Sequence, residues 1–61
     1  MKTTTEFYTG LRSQIGSRAY VSKLLGINNA TLWRREIGAH KITEEMVLAL
    51  MMLKSNHRKN P

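Results

Sequence analysis

The stretch Ser17–Arg35, SRAYVSKLLGINNATLWRR, decides the fold. It reads as two short helices joined by a tight turn. Ser17 offers a hydroxyl to the unpaired backbone amides that open a helix, and Val21, Leu24 and Leu25 then recur at spacings of three and four. Gly26 follows at once, and glycine ends a helix with least strain in the left-handed conformation, so the first helix stops at Leu25. Ile27 is an apolar peg after the turn, and Asn28 is the N-cap of a second helix from Asn29 to about Glu36. A link this short forces the two axes to cross steeply. Close crossing needs a small side chain at the meeting point, which Ser22 supplies, and Leu32 closes a small core with Val21, Leu25 and Ile27.

Toward the N-terminus, Phe7, Leu11 and Ile15 recur every four positions and predict a helix from about Thr5 to Ile15. Gly10 lies inside it, at a cost of about 1 kcal/mol relative to alanine. Gly16 breaks the chain before Ser17. On the other side, Gly38 to Lys41 is a polar break. Thr43 then caps a last helix expected to run to about Lys54. Glu44 and Glu45 stand in its first turn, where the helix dipole favours negative charge, and Ile42 and Val47 form a hydrophobic staple. The remainder, SNHRKNP, has no apolar residue and ends in proline. The expectation is therefore one domain over residues 1–61, with an ordered core at about 5–54 and a basic flexible tail at 55–61. No internal repeat or strand pattern appears. The expected class is all-α, a small four-helix helix-turn-helix domain.

The last helix is apolar on two sides. Met46, Ala49, Leu50 and Leu53 form one stripe, and Leu48, Met51 and Met52 form another. Phe7, Leu11, Val21 and Leu25 suffice to cover the first. The second is expected to be a homodimer interface, with cover from the N-terminal arm or a bent first helix as the alternative.

Size and composition narrow the function. A chain of 61 residues makes one domain at most and buries only about 60% of the surface its unfolded form exposes, which leaves no room for a deep enzymatic pocket. No catalytic residues are assigned, since no nucleophile has a plausible base partner. There is no cysteine, and His40 and His57 lack acidic or sulfur partners at ligand spacing, so no metal, cofactor or small-molecule ligand is expected. No apolar run approaches the roughly 20 residues of a membrane span, and the opening MKTTTEFY lacks the apolar stretch of a signal peptide. A soluble protein of the cytoplasm is the expectation. Ten Lys and Arg against four acidic residues give a net charge of +6. With a pI near 10.4, that balance favours a polyanionic partner.

These residues resemble the Cro and repressor-type helix-turn-helix regulators of temperate bacteriophages and their bacterial relatives. The shared pattern is apolar Val21, small Ser22, apolar Leu25, Gly26, apolar Ile27 and apolar Leu32, followed by Glu36 and Gly38 as in the family's E-x-G ending. It covers roughly residues 11 to 53. The chain departs from the family at three places: Ser22 stands where alanine is usual, Arg35 where an apolar or aromatic residue is usual, and Trp33 where a polar one is usual.

The resemblance implies a homodimer that binds a palindromic operator in double-stranded DNA and represses transcription in a bacterial cell. It also implies that the second motif helix enters the major groove with its N-terminal residues at the base edges. Carried onto this chain, the base-reading candidates are Asn28, Asn29, Ala30, Trp33 and Arg34. Arg34 suits guanine, Asn29 suits adenine, and Ala30 is small enough to touch a thymine methyl. Asn28 serves chiefly as a cap. Phosphate contacts are expected from Ser17, Arg18, Lys23, Arg35, His40 and Lys41, with Arg58 and Lys59 adding unspecific attraction. Two rotations of the second helix fit the residues. One places Trp33 beside Arg34; the other, half a residue round, closes the core with Trp33 and swings Arg35 toward phosphate. Glu36 is structural in either case, as a cap or as the partner of a nearby arginine.

Other functions leave different signatures. An antitoxin would share the DNA-binding fold and use a second surface, such as the Met-rich face, for its toxin. A small protein-interaction module would direct its basic face at an acidic partner. A cationic membrane binder would gather its charges on one long helix, which this chain does not do.

Overall fold

The computed structural model describes residues 2–59, the side chains of 57–59 excepted. Its elements are α1 (Thr5–Ile15), α2 (Arg18–Leu25), α3 (Asn29–Glu36) and α4 (Glu44–Lys59), with no strand among the described residues. The all-α, four-helix expectation holds.

Local chemistry sets each boundary. Thr4, Ser17, Asn28 and Thr43 precede the four helices, and each accepts a hydrogen bond through its side-chain oxygen from a backbone amide of the first turn, at 3.2, 3.2, 2.8 and 3.3 Å. Gly26 is left-handed, with φ of 72°. Its amide donates to the Lys23 carbonyl at 3.2 Å and that of Ile27 to Ser22 at 3.0 Å, the paired bonds of a Schellman stop. Gly38, with φ of 87°, repeats this after α3: its amide reaches the Arg35 carbonyl at 3.3 Å and that of Ala39 reaches Arg34 at 2.9 Å. A residue with a Cβ is strained by roughly 1–2 kcal/mol in that conformation.

Helix α4 departs from expectation at its C-terminus, since it continues to Lys59 rather than stopping near Lys54. The basic segment lacks apolar residues, but it also lacks glycine and proline until Pro61. A helix once nucleated extends through such a sequence at little cost per residue. The flexible tail expected at 55–61 is corrected to that extent; Asn60 and Pro61 lie outside the described residues.

The core is Tyr8, Leu11 and Ile15 of α1, Val21 of α2, Leu32 of α3, Ile42 of the loop, and Val47 and Leu50 of α4. Phe7, Leu25, Ile27, Met46 and Leu53 pack around it half-buried. Helix α1 packs against all three others, and α2 packs on α3. Ser22 is buried, as a close crossing of α2 requires. Ile42 and Val47 are both buried as the staple expected before α4.

Tyr8, rather than Phe7, is the fully buried aromatic of α1. At about 100° per residue, positions 8, 11 and 15 span an arc of about 60°, narrower than the roughly 80° spanned by 7, 11 and 15. The phenol is accommodated because its oxygen accepts a hydrogen bond from Arg35 Nη1 at 3.1 Å. Leu24, counted among the apolar positions of α2, is exposed.

Gly10 sits in the middle of α1 with open space where a Cβ would project. Gly10→Ala is therefore expected to stabilise the domain by about 0.5–1 kcal/mol. A rise in the thermal midpoint checks it, and a fall would contradict the reading.

Candidate nucleic-acid interface

The rotation of α3 is fixed by what three of its side chains do on the inner side. Leu32 is fully buried in the core. Arg35 reaches across to Tyr8, and Glu36 is gripped by α1: Arg12 Nε lies 3.0 Å from Oε2, and Arg12 Nη2 lies 3.2 Å from Oε1. Arg12 Nη1 also donates to the Gly16 carbonyl at 2.9 Å. The Glu36 and Arg12 side chains are only 6% and 14% exposed, so this is a buried bidentate pair between helices. Arg18 adds a weaker contact, with Nε 3.5 Å from Glu36 Oε1.

With those positions turned inward, the outer face of α3 carries Asn29, Ala30, Trp33 and Arg34, all exposed. Trp33 is 46% exposed, which selects the rotation that sets it beside Arg34 over the one that closes the core with it. Asn28 is also exposed, but its Oδ1 is engaged by the Ala30 amide, so it acts first as a cap.

The expected phosphate-contacting residues divide. Arg35 is corrected: it points to α1, half-buried, with Nη1 on Tyr8 and with Nε buried and lacking a hydrogen-bond partner. Its inward turn follows from the same rotation that exposes Trp33. Ser17, Arg18, Lys23, His40 and Lys41 are exposed. Ser17 caps α2, and Arg18 ties the start of α2 to the end of α3 through Glu36. The loop after α3 folds back on Arg34, whose carbonyl accepts from the amides of Ala39 at 2.9 Å and His40 at 3.4 Å. The backbone thereby brings His40 and Lys41 next to the turn that carries Arg34.

Sequence reasoning left two exposed apolar groups unassigned. Ile37 is 55% exposed, and Tyr20 of α2 is exposed with its ring so close over Gly16 that a Cβ there would come within 2.8 Å of Cδ2. The signal for Ile37 was its position four residues after Trp33, on the same helical face. Away from this side, Leu48, Met51 and Met52 of α4 are exposed together, while Val47 and Leu50 face the core.

A shallow depression of about 400 Å³ lies between Thr5, Glu6, Thr9, Gly10 and Glu36, too open to enclose a substrate. Among the described residues no cluster of three His, Cys, Asp or Glu could hold a metal ion, and no helix is long and apolar enough to cross a membrane. No protein-family model, no curated protein and no solved structure matches the chain.

Proposed function

We propose that this chain is a sequence-specific regulator of transcription that binds double-stranded DNA through the outer face of α3, without catalysis or cofactor. The observation that carries the reading is the joint exposure of Asn29, Ala30, Trp33 and Arg34 on a short helix whose opposite side is locked to the core. An α-helix fits the major groove, where arginine can bind guanine in bidentate fashion and asparagine can bind adenine. A net charge of +6 and the exposed Arg18, Lys23 and Lys41 supply attraction to the phosphates. The resemblance to phage Cro and repressor proteins extends the proposal to repression, by a homodimer on a palindromic operator, in the cytoplasm of a bacterial cell. Leu48, Met51 and Met52 form the dimer surface in this reading, because a contiguous exposed apolar face on so small a domain is best explained by association. The same face favours a second reading, an antitoxin or adaptor that holds a protein partner there.

Arg34→Ala separates base reading from general attraction. Loss of one bidentate pair, about 1–3 kcal/mol, weakens binding to a selected site by roughly 5- to 150-fold. Binding to scrambled duplex of the same length falls only by the small factor due to one charge. Titrations by fluorescence anisotropy on both duplexes decide it. Equal loss on the two makes Arg34 a phosphate contact.

A further inference from the structure

Helix α3 buries Leu32, but four side chains around its C-terminal end run against simple amphipathicity. Two charged side chains, Arg35 and Glu36, are held on the inner side, and two large apolar ones, Trp33 and Ile37, stand outside. Folding alone favours the reverse arrangement, since buried charge is costly and exposed apolar area gains nothing. This arrangement is built in: turning Trp33 inward would break the Arg35–Tyr8 hydrogen bond and the bidentate Arg12–Glu36 pair. Ala30, Trp33 and Ile37 follow at steps of three and four, so they form one apolar line along the exposed face, with Asn29 and Arg34 beside it.

We infer that this line reads the methyl groups of thymine. The inference rests on the DNA-binding reading and gives its site a chemical specificity. The C5-methyl of thymine is the apolar group that the floor of the major groove presents, and alanine and aromatic side chains are suited to meet it. The charge around the line selects nucleic acid over an apolar protein surface. Arg34 adjoins Trp33 in the helix, and the loop bearing His40 and Lys41 folds back on Arg34. The recognised half-site then contains thymines alongside the guanine that Arg34 engages.

The test compares one selected duplex with the same duplex in which every thymine is replaced by uracil. That exchange removes the methyl groups and keeps both the base-pairing edges and the phosphate charge. Each contacted methyl is worth about fourfold in affinity, so a half-site with two of them loses on the order of tenfold or more on the uracil duplex. Trp33→Gln lowers affinity for the thymine duplex and brings the thymine-to-uracil ratio toward one, with its folding checked by circular dichroism. Should that variant fail to fold, the comparison on the unsubstituted protein decides alone. Selective binding with equal affinity for both duplexes overturns the methyl reading and leaves the DNA-binding proposal standing. Salt-sensitive binding with no preferred sequence overturns both, and assigns the apolar line to a protein partner.

Discussion

Leu32→Ala is expected to remove a large share of the protein's stability. Leu32 is fully buried where α3 meets the core. Such truncations cost about 2–5 kcal/mol, as lost apolar transfer plus the cavity left behind. At roughly 0.05–0.15 kcal/mol per residue, a domain of this length has only about 3–9 kcal/mol to lose. It also has no disulfide among its 61 residues to raise that figure. The thermal midpoint should fall by about 10–40 °C, given 4–8 °C per kcal/mol for a domain of this size. Far-UV circular dichroism during heating measures this directly. A cooperative transition within a few degrees of the parent protein would mean that Leu32 does not anchor α3.

Glu36→Ala comes second in size. The carboxylate is held by Arg12 with two hydrogen bonds and touched by Arg18, and its side chain is 6% exposed. Removing one partner of a buried pair costs about 3–5 kcal/mol, because the other charge is left without compensation. Arg12 keeps its bond to the Gly16 carbonyl and a little solvent contact, which places the expected loss near the lower end, about 3 kcal/mol. Urea denaturation should show a lower midpoint with an unchanged slope. A loss under about 0.5 kcal/mol would rank the pair with ordinary surface ion pairs. The variant also bears on the interface, since Glu36 joins α1 to the rotation of α3 that presents Arg34.

The parts of this architecture that sequence alone made legible are those encoded within a few residues. Ser17, Asn28 and Thr43 as caps, Gly26 as a left-handed stop, Ser22 at the crossing and the Ile42–Val47 staple all depend on local spacing, and each is found in place. The exposure of Ala30 and Arg34 on α3 was readable too, because both lie about 160° round the helix from the buried Leu32, while Asn29 is exposed at the first position of the helix.

What stayed hidden depends on partners distant in sequence. The narrower arc of positions 8, 11 and 15 favours Tyr8 over Phe7 locally, but the inward turn of Arg35 rests on a hydrogen bond to Tyr8, 27 positions away. No local pattern announces that bond, and arginine read alone is a surface or phosphate residue. The Arg12–Glu36 pair spans 24 positions in the same way, although a nearby arginine was foreseen as one partner for Glu36. The rotation of α3 could not be settled without these two contacts, so Trp33 remained open between core and surface. The C-terminal extension of α4 was missed for a different reason: the lack of apolar residues removes a packing signal but does not end a helix.

Whether the exposed face of α3 reads DNA sequence is tested most directly by selection of bound duplexes from a random pool. Enrichment of an inverted repeat whose half-sites carry a guanine beside thymines is the expected result. Such a site would report base reading and two-fold symmetry together. A pool that stays random through successive rounds, with binding that vanishes at moderate salt, would contradict the claim.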